Sequence, residues 1–260
     1  MKWLLCCLLV SLFAGVSQAS ERLTIAAASD LRFALNDIVQ RYQSEFPNAD
    51  IQVIYGSSGK MTTQIMHGAP YDIFFSADIA FPQQLEAAGF TASTPEVYGI
   101  GRIVIWSARY QVENWTLQDL LNPDIRRIAI AQPTHAPYGM RAKEAMQSEG
   151  VWEQLAAKMV YGENIAQAAQ MAQSGAADVA IIALALAKGS QLSGVGYGLI
   201  DAELHEPLTQ GFVITKRAEK NALARHFAAY MQSCVARELM QHYGFVLSRH
   251  DVEVEMPCGD

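Results

Sequence analysis

Two strand-to-helix junctions constrain this chain most: Ala26-Ala27-Ala28-Ser29-Asp30-Leu31 and Tyr55-Gly56-Ser57-Ser58-Gly59-Lys60-Met61. Each follows a run that reads as a buried strand, residues 23–27 and 51–55. Each then opens an amphipathic pattern with a serine where a helix cap belongs. A helix start presents unpaired N–H groups and the positive end of the dipole. Small residues and a hydroxyl beside it turn such a start into a pocket for an anion. Serine is also among the best capping residues. From these residues alone, Ser29 and Ser58 therefore read either as anion donors or as plain caps.

The same alternation continues along the chain. Strand-like runs fall at 72–76, 102–106, 127–131, 159–161, 178–183 and 211–215, with helical patterns between most of them. This predicts an α/β fold with mainly parallel sheets. Ligands of such sheets bind beyond the carboxyl ends of strands, where helices begin. The junctions near Ser29 and Ser58 lie early in the chain, and those near Tyr138 and Ile165 lie in its middle. That distribution predicts two lobes with a ligand cleft between them. Residues 20–101 and 213–260 are expected to form lobe I and residues 102–212 lobe II, with a hinge near Arg102 and Gly211.

The first residues read as an export signal. Met1-Lys2-Trp3 precedes an apolar run from Leu4 to Val16 and the small-residue ending Ser17-Gln18-Ala19. Cleavage after Ala19 makes residues 1–19 a signal peptide and the mature protein periplasmic. No later run has the ~18–20 uninterrupted apolar residues of a membrane span, so no membrane insertion is expected. The formal charge of −7 becomes −8 once Lys2 is removed. That balance excludes nucleic acid and anionic membrane surfaces as partners. A small anion remains open, because oriented N–H dipoles dominate inside a closed cleft. Cys234 and Cys258 remain after cleavage; an oxidising compartment favours a disulfide between them, with two separate thiols as the alternative.

Catalytic motifs fit poorly. Lys60 suggests a phosphate-binding loop, but Ile54 stands where that loop needs its first glycine and Met61 where it needs Ser or Thr. In Gly56-Ser57-Ser58-Gly59 the second glycine comes one residue too early for a serine-hydrolase elbow. Asp72 and Asp78 read as caps or turn formers. The six histidines show no metal-ligand spacing, so no cation site, no cofactor and no enzyme activity are expected.

Four stretches and a terminal signature together resemble a known family. They are Ala26-Ala27-Ala28-Ser29, residues 56–65 beginning Gly56-Ser57-Ser58-Gly59-Lys60-Met61, residues 68–78 beginning Gly68-Ala69-Pro70-Tyr71-Asp72, Tyr138-Gly139-Met140-Arg141-Ala142, and the ending Tyr243-Gly244-Phe245. The chain resembles the periplasmic molybdate-binding proteins of ABC transporters, which are type II solute-binding proteins, over essentially its whole mature length. The resemblance implies the two-lobed periplasmic binding protein fold of a monomer. It also implies capture of molybdate or tungstate and delivery to a membrane permease. Ser29 and Ser58 match the family's two oxyanion-binding serines, while Tyr138 and Ile165 stand where it uses backbone N–H groups of the second lobe. Ala183 occupies the place where some members carry a tyrosine hydroxyl, and Tyr138 is the candidate to supply one instead. Asp30 is expected to offer only its backbone N–H, with its carboxylate turned from the dianion. A receptor of the same fold for sulfate, or for ferric iron, is the alternative reading.

The donor set suits that ligand. Neutral N–H and O–H groups fixed in a dry cleft hold a tetrahedral dianion strongly because the local dielectric is low. Molybdenum is then bound as an oxyanion, through its oxygens. A cage made only of donors also disfavours phosphate, whose proton at neutral pH needs an acceptor.

Overall fold

The computed structural model describes residues 22–189, 192 and 196–247. The expected signal peptide and Cys258 lie outside these residues. The chain begins β1 (Arg22–Ala28), α1 (Arg32–Glu45), β2 (Asp50–Gly56), α2 (Ser58–Met66), β3 (Ile73–Ser76), α3 (Ala80–Ala87) and β4 (Glu96–Gly101). It continues with β5 (Ile103–Trp106), β6 (Ile128–Ala131), α4 (Pro137–Ser148), α5 (Trp152–Leu155), β7 (Met159–Gly162), α6 (Ile165–Gln173), β8 (Val179–Ala183), α7 (Leu184–Ala187) and β9 (Tyr197–Leu199). It returns through β10 (Leu208–Ile214) to α8 (Ala222–Tyr230) and α9 (Cys234–His242).

These strands form two sheets of five, ordered β2-β1-β3-β10-β4 and β7-β6-β8-β5-β9. Helices cover both faces of the first sheet, so its strands carry apolar side chains on both. Leu23, Ile25, Ala27, Ile73 and Phe75 pack on one side with residues of α1, α8 and α9. Ala26, Phe74 and Val213 point the other way, against Met61 and Ile65 of α2 and Leu85 of α3. The two-residue period of a strand assigns each residue to its side. Ile128, Ile130, Ile181 and Ile182 build the corresponding core of the second sheet with residues of α4 and α6.

The sheets are more mixed than the alternation predicts. β1 pairs in parallel with β2 and β3, and β6 with β7 and β8. β10 runs antiparallel to β3 and β4, and β5 antiparallel to β8 and β9. All the antiparallel pairs involve strands next to the passages between lobes, where no helical crossover reverses the chain. Only Arg102 separates β4 of the first sheet from β5 of the second. The chain re-enters the first sheet at Leu208, three residues before Gly211. β10 belongs to the first sheet from Leu208 onward, and Leu208 sits opposite Gly101. Residues 208–212 therefore pair within the first sheet. Thr209 and Gln210 concealed this start, since the strand carries a fully buried glutamine. β4 and β9 also escaped the sequence: β4 holds two glycines within Glu96-Val97-Tyr98-Gly99-Ile100-Gly101, and β9 is three residues long.

Candidate functional site

β1, β2 and β3 end together at the edge of the first lobe, and α4 and α6 begin opposite them on the second. Ser29, Ser58, Tyr138 and Ile165 all line one cavity between these ends, with Asp30, Ser57 and Ala77 among its other walls. Its space outside the protein atoms is ≈ 190 Å³. The walls are closed over: Ser29, Ser58, Tyr138 and Ile165 are each buried.

Each expected residue arrives by a local rule. Ser58 is the first residue of α2, so its N–H has no intrahelical acceptor. Its Oγ accepts from Ala77 N at 3.0 Å, which leaves the hydroxyl proton for a ligand. Tyr138 follows Pro137, the first residue of α4; proline has no N–H, so Tyr138 supplies the first N–H of that helix. Ile165 opens α6, capped by Asn164, whose Oδ1 accepts from Gln167 N at 3.1 Å. Ala166 N donates to Ser29 Oγ at 3.3 Å, and Ser29 Oγ donates to Asn164 Oδ1 at 3.2 Å. Ser29 thus caps no helix of its own. It begins a short 3-10 turn after Ala28, and its hydroxyl crosses the cleft to the start of α6. Ala183 is not part of this cavity; it is fully buried at the end of β8, paired with Ile103.

Further contacts join the lobes around the cavity. Gly59 N donates to His135 O at 3.0 Å, and Ser57 Oγ lies 2.9 Å from His135 Nδ1. A side chain at position 59 would press on the His135 carbonyl at 2.8 Å, so glycine is required for this approach. Burial is the main cause that lowers the His135 pKa, followed by the Lys60 charge. Lys60 pairs with Glu163 at 3.1 Å on the exposed rim. Arg141 of α4 bonds Asp78 of the first lobe at 3.2 Å and Glu144 at 2.6 Å, largely out of solvent. Asp78 also accepts from Ala80 N, as a turn former does. Asp72 instead ties β1 to the residues after β10, through Thr24 N at 2.8 Å and Arg217 at 3.3 Å.

Beside the cavity lies a buried polar network that the sequence did not reveal. Gln210 Nε2 donates to Asp30 Oδ2 and to Tyr138 Oη, both at 2.9 Å. Tyr98 Oη lies 2.6 Å from Gln210 Oε1 and 3.0 Å from Ser76 O. Gly101 makes room, because a Cβ there would overlap Tyr138 Oη. The Tyr138 hydroxyl is thereby engaged by Gln210 and Asp30. Asp30 Oδ1 is buried with no partner. Burial raises the Asp30 pKa from 3.8 to about 6, against the lowering pull of Gln210, Tyr138 and nearby backbone N–H groups. Burial likewise pushes the Tyr98 and Tyr138 hydroxyls well above their usual range. Asp30 thus lines the cavity while its carboxyl is held in the network beside it.

Among the described residues, no group of three or more His, Cys, Asp or Glu could hold a metal cation, and no helix is long and apolar enough to cross a membrane. Cys234 at the start of α9 is disulfide-bonded.

Residues 23–246 match the model of the family described as bacterial extracellular solute-binding protein. The molybdate-binding protein ModA of Azotobacter vinelandii is 30% identical over 246 residues, covering 92% of this chain and 97% of that protein. Its counterpart in Rhodobacter capsulatus is 33% identical over 196 residues, 74% of this chain and 75% of that protein. Among solved structures, the Azotobacter vinelandii periplasmic molybdate-binding protein superposes with a TM-score of 0.82 at 31% identity, over 87% of this chain and 99% of that one. The sulfate-binding protein SubI from Mycobacterium tuberculosis H37Rv shares the fold at 14% identity, with a TM-score of 0.70 over 89% of each chain.

Proposed function

This chain belongs to the bacterial extracellular solute-binding proteins, among the molybdate-binding members, and we propose that it captures molybdate, and tungstate of nearly equal size, for the permease of an ABC transporter. The observation that carries this reading is the convergence of three helix starts and two serine hydroxyls on one small enclosed cavity. The donors are Ser58 Oγ, the N–H groups of Ser58, Tyr138 and Ile165, and Ser29 Oγ once its proton turns from Asn164 Oδ1 to the ion. They address oxygens of the oxyanion, not its molybdenum.

The chemistry of capture follows from the donors. Each N–H or O–H given to a charged acceptor contributes about 1.5–3 kcal/mol. Because donors come from both lobes, the bound ion holds the cleft shut and the closed form is the one stabilised by ligand. A cage of fixed size holds molybdate and tungstate more tightly than the smaller sulfate. The periplasmic setting rests on the export signal read at residues 1–19 and on the family. Ser58→Ala tests the site: its hydroxyl proton is the donor not already engaged within the protein, so molybdate affinity should fall about tenfold or more. Unchanged affinity in titration calorimetry would remove Ser58 from the site.

A further inference from the structure

A dianion receptor has little reason to bury a carboxyl beside its cage, yet Asp30, a residue that lines the cavity, is completely buried, one residue from Ser29. Its Oδ2 is held by Gln210, while Oδ1 has no partner. Among the described residues, none of the ion pairs involves it. The groups facing Asp30 are Tyr138 of α4, Tyr98 of β4 and the uncharged Gln210 of β10. α6 and α7, which pack against the turn that carries Asp30, hold no ionisable residue within Ile165–Gln173 or Leu184–Ala187. At the start of α1, Arg32 lies over the Tyr55 ring.

Two negative groups cannot share so small a dry space without cost. A dianion brought beside a buried carboxylate disfavours its charged form, as one of two neighbouring carboxylates is driven to hold a proton. A protonated carboxyl no longer leaves an unpartnered anionic oxygen buried beside the dianion. Given the molybdate reading, on which this rests, we infer that Asp30 carries a proton in the liganded protein, so that molybdate and one proton are taken up together near neutral pH.

Asp30 already binds its proton more tightly than a solvated carboxyl, with a pKa of about 6. In the free protein at pH 7–8 it is mostly ionised; with the dianion present it is not. The proton comes from solvent and stays on the Asp30 carboxyl until release. His135 is the other group near the cavity able to take up a proton, through its contact with Ser57. Its role must be separated from that of Asp30.

The test is calorimetric titration of the protein with sodium molybdate, in buffers of different ionisation enthalpy, at several pH values from 6 to 8.5. The wild type should take up close to one proton per molybdate at pH 7.5, and Kd should rise about tenfold from pH 7 to pH 8. Asp30→Asn, a neutral isostere, should bind with uptake near zero and a Kd nearly flat over the same range. His135→Gln should keep the wild-type uptake. Molybdate binding by the wild type without proton uptake would overturn the inference and leave the molybdate reading standing. So would uptake that persists in Asp30→Asn or disappears in His135→Gln. The wild-type measurement decides the matter even should Asp30→Asn fold poorly. Absence of molybdate binding at every pH would instead overturn the molybdate reading, and this inference with it.

Discussion

Ser29 and Ser58 match the same sequence rule but do different work. Ser58 accepts from the Ala77 N–H behind the cage and has its proton free. Ser29 bonds to the start of α6 on the opposite lobe through both halves of its hydroxyl. Ser29→Ala should therefore weaken molybdate binding more than Ser58→Ala, because it removes two bonds between lobes together with the hydroxyl that faces the cavity; calorimetry on the two variants compares them directly. Asp30 gives a stability prediction of definite sign. Its folded-state pKa is raised from 3.8 to about 6, chiefly by burial, so the folded protein binds the proton more tightly than the unfolded chain. Stability falls as pH rises through that window, by up to about 3 kcal/mol, and stays lower above it. In the unliganded protein, Asp30→Asn should raise the Tm at pH 7, with the gain vanishing near pH 4. Equal gains at both pH values would show that the buried charge is not the cause. Helix starts that line the cavity were legible because the rule spans only a few residues. Asp30, Gln210 and Tyr98 were not, since 180 residues separate Asp30 from Gln210 and no local pattern links them.

At the scale of elements, the site depends on how closely helices approach strand ends. α4 starts against the end of β6 because residue 139 is glycine; a Cβ there would fall on the Ala131 carbonyl. Gly139→Ala should cost about 1–3 kcal/mol in urea unfolding, by forcing the helix start away from the strand. It should also weaken molybdate binding, because the displaced turn carries the Tyr138 N–H. A variant with unchanged stability and affinity would mean that the junction yields freely. The sequence located most of these elements through their apolar period. It missed β4 and β9 because glycines and brevity erase that period. It predicted too much parallel pairing because alternation says nothing about strands that change lobes. The place of Ala183, buried in β8 away from the cavity, was also beyond a reading based on strand ends alone.

The whole molecule is two sheets joined where β4 meets β5 and where the chain returns to β10, with the cavity closed between them. Outside the cavity, Arg141 links the lobes through Asp78 while also holding Glu144, whose other oxygen accepts from Glu206 N near the return passage. The pair is largely shielded, so it is more than a solvated surface bridge. Arg141→Ala should speed molybdate release at least about fivefold, as loss of roughly 1 kcal/mol from the closed form requires. Stopped-flow displacement would measure this, and an unaltered release rate would place closure in the cage alone.

The central claim is that this cavity is a molybdate site. Calorimetric titration of the protein lacking residues 1–19 with molybdate, repeated in a large excess of sulfate and then of phosphate, tests it most directly. The account predicts saturable one-to-one binding of molybdate that neither competitor displaces. Failure to bind molybdate, or its ready displacement by sulfate, would contradict it.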